Sequence, residues 1–141
     1  MQTRFPGKRL MSRMLPLLLA LLLPACAIVD DSKRNITYDN ASRYYENALR
    51  WGDYEAAERV RRPAGTPVPL NKADLERIKI TGYDVKGYAL SEDHNEIRTE
   101  VLIRYYNQDH MTEHTITDIQ TWVYDPDAKN WFITSPLPAF R

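Results

Sequence analysis

The sequence predicts an α+β fold, with N-terminal helices packed on a curved four-stranded antiparallel sheet after a cleaved signal peptide. Three observations carry this expectation. Apolar residues from Ala41 to Leu49 recur at the helical period, whereas from Ile78 onward they recur at a period of two. Polar clusters at 91–95, 107–110 and 125–130 divide the second half into short runs, as the turns of a meander would. Ahead of both lies a basic stretch followed by an aliphatic one.

That leader comes first in the chain. Residues 1–14 carry Arg4, Lys8, Arg9 and Arg13 and no acid, and Leu15 to Leu23 is almost wholly aliphatic. A basic segment, a short apolar one and a small residue before the cut make a secretory signal. The run is too short for a membrane-spanning helix, which needs about 20 apolar residues. Pro16 and Pro24 bracket it, and Asp30 and Asp31 follow soon after.

Its end is more specific. Leu23-Pro24-Ala25-Cys26 contains the only cysteine of the chain and resembles the lipobox of bacterial lipoproteins, with Pro24 where that family prefers Ser, Thr or Ala. The resemblance implies diacylglyceryl transfer to the Cys26 sulfur, cleavage between Ala25 and Cys26, and acylation of the new amino group, as in palmitate-bearing lipoproteins. A thiolate is chemically suited to this, being a strong side-chain nucleophile. Each buried methylene contributes about 0.8 kcal/mol, so two or three chains on one residue give a lasting membrane anchor. Ala27, rather than Asp, follows the cysteine, and the family's sorting rule then implies the periplasmic face of the outer membrane.

The chain accordingly divides into a signal peptide (1–25), a lipidated tether (26–39) and a single domain (40–141). Loss of residues 1–25 removes four of the 19 basic residues and none of the 19 acids, for a net charge of −4. This argues against nucleic acid, whose phosphates reward a basic surface, and against polybasic contact with anionic lipid. With Cys26 acylated no disulfide is available, so the fold must rest on its core. Three tryptophans and nine tyrosines supply the area for one.

The polar, aperiodic residues 27–39 read as a tether. Asp39 or Asn40 caps the first helix. Ala41, Tyr44, Tyr45, Ala48 and Leu49 form its buried stripe, and Gly52 ends it. Asp53 caps a second helix to about Arg62, with Tyr54, Ala57 and Val60 inward, and Pro63 with the 64–69 run stops it. Residues 71–74 suit a short helical turn. Ile78, Ile80, Tyr83, Val85, Tyr88 and Leu90 make a long first strand whose phase slips at Gly82 and Gly87, as at bulges. Ile97, Thr99, Val101, Ile103 and Tyr105 are the buried phase of the second. Thr112 to Tyr124 is a third strand with apolar residues in both phases, so its inner face stays open. Trp131 to Ser135 is the fourth, ended by Pro136 and Pro138.

Two stretches look like the nuclear-transport-factor-2-like, or cystatin-like, superfamily. One is the opening Tyr44-Tyr45-Glu46-Asn47-Ala48-Leu49-Arg50-Trp51-Gly52-Asp53-Tyr54-Glu55-Ala56-Ala57. The other is the closing hairpin from Thr121-Trp122-Val123-Tyr124-Asp125 to Asn130-Trp131-Phe132-Ile133. The resemblance covers about residues 40–137 and implies a pocket between helices and concave sheet. Its members include isomerases, dehydratases and binding modules, so it carries little functional information.

Three sets of residues are candidates for a site. Asp118, pointing into an apolar pocket, would have a raised pKa and could act as a base; Asp84 is a loose second acid, and no oxyanion donor pair is evident. The alternative places Asp118 on the solvent face. Arg98, Arg104 and Tyr106 face outward beside Glu100 and Leu102, a mixed patch of the kind favoured at protein interfaces or a set of cross-strand charge pairs. His110 and His114 lie about 13 Å apart along a strand, too far to share one ion, so no metal is expected. No phosphate loop and no Gly-x-Ser-x-Gly is present, and no cofactor is expected. The expected function is a lipid-anchored, non-enzymatic module that binds an envelope protein or an apolar ligand; the alternative is a small isomerase- or dehydratase-like pocket enzyme.

Overall fold

The computed structural model describes residues 24–62 and 71–140, with the backbone alone for 24–30. The leader through Leu23, the Cys26 side chain, and the stop from Pro63 to Pro69 lie outside the described residues. The chain divides into two compact units, Met1–Ile36 and Thr37–Arg141. The described part of the first is helical throughout. It is an α+β chain, with helices followed by an open four-stranded antiparallel sheet.

Helix α1 spans Pro24–Trp51 and so starts well before Asp39. From Ala27 to Asp39 there is no Gly and no Pro, and Asp or Asn inside a helix costs less than about 1 kcal/mol. Good capping residues therefore did not mark the boundary. Ala41, Tyr45, Ala48 and Leu49 are buried as the stripe requires, while Tyr44 at its edge is exposed. The helix ends on a Schellman motif. Gly52 adopts φ +73°, its N–H donates to Leu49 O at 3.1 Å, and Asp53 N–H donates to Ala48 O at 2.8 Å.

Asp53 also begins the next element. Its carboxylate accepts from Ala56 N–H at 2.9 Å and caps α2, Tyr54–Arg59. Tyr54, Ala56 and Ala57 are buried along it. The helix stops short of Arg62 because, after the αR cap at Val60, Arg61 bridges to the last strand. Ile133 N–H donates to Val60 O at 3.1 Å, and Arg62 N–H donates to Ile133 O at 2.9 Å. A short helix, α3, spans Lys72–Glu76.

The strands are β1 (Ile78–Leu90), β2 (Glu96–Asn107), β3 (Glu113–Asp125) and β4 (Asn130–Ile133), in the order β1-β2-β3-β4. The register of β1 on β2 shifts between Ile80 and Gly82 and again between Val85 and Gly87, where the glycines predicted slips. The odd residues of β2 from Ile97 to Tyr105 are all buried. Pairing then settles β3, because Ile97, Thr99, Val101 and Ile103 stand opposite Trp122, Gln120, Asp118 and Ile116. The even residues of β3 therefore share the inner face.

Trp122 lies at the centre of the core. It is fully buried, and the rings of Tyr38 and Tyr45 from α1 meet it edge-on at 5.7 and 5.8 Å. Trp131 meets Tyr38 in the same way at 5.7 Å. Leu137 and Phe140 of the tail pack against the same cluster. Two substitutions test this construction by urea denaturation. Trp122→Ala is expected to cost about 3–5 kcal/mol. Gly52→Ala, which forces a Cβ into left-handed backbone, is expected to cost about 1 kcal/mol.

Candidate functional site

Four of the inner-face residues nearest α1 are polar, although the surrounding core is apolar. Asp118, Gln120, Thr99 and Tyr83 are each less than a tenth exposed. Strand alternation places Asp118 and Gln120 two residues apart on one face, and the register sets Thr99 beside Gln120. Gln120 is the hub. Its Nε2 donates to Tyr83 OH at 2.7 Å and to Asp118 Oδ2 at 2.8 Å, while its Oε1 accepts from Trp122 Nε1 at 3.3 Å. Both amide hydrogens are thereby used. Tyr38 OH and Thr99 Oγ1 form a second bond at 2.8 Å.

One hydroxyl is left over. Tyr45 is fully buried and its OH has no hydrogen-bond partner. Burial pushes its pKa well up, and the nearby Asp118 and Tyr83 push it further. Burial also raises the Asp118 carboxyl above its ordinary value, partly offset by the hydrogen bond from Gln120. Tyr83 is raised for the same first reason. Asp118 thus sits inside, not on the solvent face, with the environment a general base would need. Asp84 does not join it. That acid lies on the exposed outer face, with its Oδ2 3.4 Å from Arg104 Nη2.

Beyond this cluster the inner face opens. Val85, Tyr88 and Leu90 pair with Val101, Thr99 and Ile97, so their side chains belong to the buried face. Yet they are 57 %, 73 % and 45 % exposed. Three apolar or aromatic side chains of one strand thus leave an uncovered margin beside the Tyr38–Thr99 bond.

The outer-face candidates are distinct from the polar cluster, although Tyr88 of the margin also borders the depression at Arg98. Arg98 borders a shallow depression with Tyr88, Glu100 and Ile119. Arg104 lies over Gly82, where an added Cβ would fall 2.5 Å from its guanidinium. Tyr106 is half-buried. Arg98 and Arg104 are six residues apart on one strand, about 20 Å, so they share a face without converging. His110 is exposed in a turn, and His114 stacks on Tyr105 at 5.5 Å. Among the described residues no cluster of three or more His, Cys, Asp or Glu could hold a metal ion.

Tyr38, Tyr83, Thr99 and Gln120 were not singled out from the sequence. Thr99 offered a signal, being the one polar member of the buried phase of β2. Gln120 became legible only once β3 was given its inner face. Comparisons with protein-family models, with curated proteins and with solved structures found no match.

Two measurements probe the cluster. A carboxyl raised by folding favours the native state while protonated, and this contribution is lost as pH rises through its folded value. The stability gained by Asp118→Asn over the parent should therefore be small below the ordinary carboxylate range and grow to a plateau above it. A difference independent of pH would show that the carboxyl is not shifted. Tyr45→Phe, which removes an unpartnered buried hydroxyl, should leave stability unchanged or raise it by up to about 1 kcal/mol.

Proposed function

We propose that this chain is a bacterial outer-membrane lipoprotein, held on the periplasmic face by acyl chains on Cys26, whose α+β domain is a non-enzymatic binding module. The anchoring half rests on the lone cysteine after Leu23-Pro24-Ala25, with Ala27 next to it. No helix among the described residues is long and apolar enough to cross a membrane.

The binding half rests on one observation, the uncovered inner-face margin of Val85, Tyr88 and Leu90. These side chains suit an apolar ligand or an apolar side chain of an envelope protein. Aromatic residues beside a few placed polar groups are what such sites use. A curved sheet with helices over its concave side, as in nuclear-transport-factor-2-like proteins, would place this margin at the pocket mouth. The bulges at Gly82 and Gly87 favour such curvature.

A second reading, the pocket enzyme, is favoured by the buried, raised Asp118. Against it, Gln120 holds that carboxylate, and the Tyr45 and Trp122 rings pack edge-on within the same core. Among the described residues no second acid contributes to its shift.

Cys26→Ser should leave uncleaved precursor without a lipid label; a lipid-labelled variant rules out the anchor. A photo-crosslinking residue at position 88 should give adducts in intact cells that the same residue at position 110 does not. Equal labelling at both positions would rule out the inner-face margin. Loss of cellular function in a stably folded Asp118→Asn protein would favour the enzyme.

A further inference from the structure

The turn joining α1 to α2 exposes the one tryptophan that the core does not use. Trp51 is 84 % exposed, whereas Trp122 and Trp131 are buried. It borders a cavity of about 660 Å³ whose walls come from the end of α1, from α2 and from α3. This volume falls within the range of ordinary ligand sites. Leu75 and Tyr54 supply apolar wall, and Asp53, Glu55, Glu58 and Glu76 supply four carboxylates against the single ammonium of Lys72.

Some of these charges are already engaged. Lys72 pairs with Glu55, and Glu58 pairs with Arg61. The Asp53 carboxylate caps α2, although Arg59 lies close enough to feel its charge. Among the described residues Glu76 forms no ion pair, although it lies close enough to Lys72 to raise that ammonium's pKa. The Tyr54 hydroxyl is sealed from solvent and does not front the cavity. The cavity therefore combines carboxylates in excess of its one ammonium with an exposed indole. It suits a flat organic cation.

We propose that this cavity docks an arginine side chain from a polypeptide partner, the guanidinium stacking on Trp51 and donating to Glu76. A guanidinium offers a planar fork of five N–H donors and stacks on aromatic faces, both of which the lining can use. A quaternary ammonium donates no hydrogen bond and would leave the carboxylates without one. A bare metal ion is disfavoured, since no cluster among the described residues could ligate one. The site is separate from the inner-face margin, and its test does not depend on that margin binding anything.

Trp51 is also the reporter, because it supplies the solvent-accessible part of the tryptophan emission. The detergent-solubilised full chain is titrated with acetyl-Leu-Arg-Leu-amide, with the lysine analogue and with the citrulline analogue, which keeps the shape but is neutral. Fluorescence and calorimetry are read together. The arginine peptide should bind saturably and shift the exposed emission; the lysine peptide should bind less well, and the citrulline peptide should fail. Trp51→Ala and Glu76→Gln, both at exposed positions, should each weaken binding by about fivefold, with the calorimetric signal replacing fluorescence in the first. Added salt should weaken it as well. Absence of saturable binding, equal binding of the citrulline peptide, or affinity unchanged in both variants would each overturn the proposal.

Discussion

Trp122 is the side chain on which the other elements converge. Its ring takes the edges of Tyr38 and Tyr45 from α1, its backbone lies between Ile97 of β2 and Ile133 of β4, and its indole N–H reaches Gln120. A tryptophan buries a large area, and its N–H needs a partner once buried. One residue thus fixes how α1 meets the sheet and why a glutamine belongs inside it. The rest of the polar cluster follows. Gln120 can satisfy Trp122 and still hold Tyr83 and Asp118, because an amide has two donors and a carbonyl.

A buried cluster of this kind constrains the fold and supplies a chemical feature at once. Its hydrogen bonds are directional, so a slip of one residue between β2 and β3 would send Asp118 and Gln120 to solvent and bring Thr117, Ile119 and Thr121 inward. The cluster still holds one unsatisfied group and one perturbed acid. The Tyr45 hydroxyl is unpartnered, and the Asp118 carboxyl, though hydrogen-bonded to Gln120, is raised by its surroundings. Both are more costly in a low-dielectric interior than in water. Polar groups kept there despite that cost are the reason the inner face, and not the outer one, is the candidate site.

The two edges of the sheet are treated differently. At β4 Arg61 bridges to Ile133, and the Arg61 guanidinium donates to Ser135 O at 2.9 Å. β1 is a 13-residue edge strand. Its bulges interrupt regular pairing, and its charged Asp84 and Lys86 flank exposed Val85. Such devices discourage edge-to-edge aggregation. They leave the inward side chains of the strand's second half available to a partner of another kind.

The sequence by itself determined much of the framework. The 3.6-residue stripe of α1, the Gly52-Asp53 pivot, the two slips of β1 and the alternation of β2 were legible, because each is set by local geometry within a few residues. The start of α1 was not, since capping residues mark a helix end only where the chain leaves the helix. Nor was the inner face of β3. Both of its phases carry apolar side chains, and only hydrogen-bonded register with β2 decides between them. That choice placed Asp118 inside and revealed Gln120. Likewise, the alternation of β1 assigned Val85, Tyr88 and Leu90 to the inner face, but their exposure depends on how far the covering helices reach. Periodicity records which way a side chain points; tertiary packing decides whether anything lies over it.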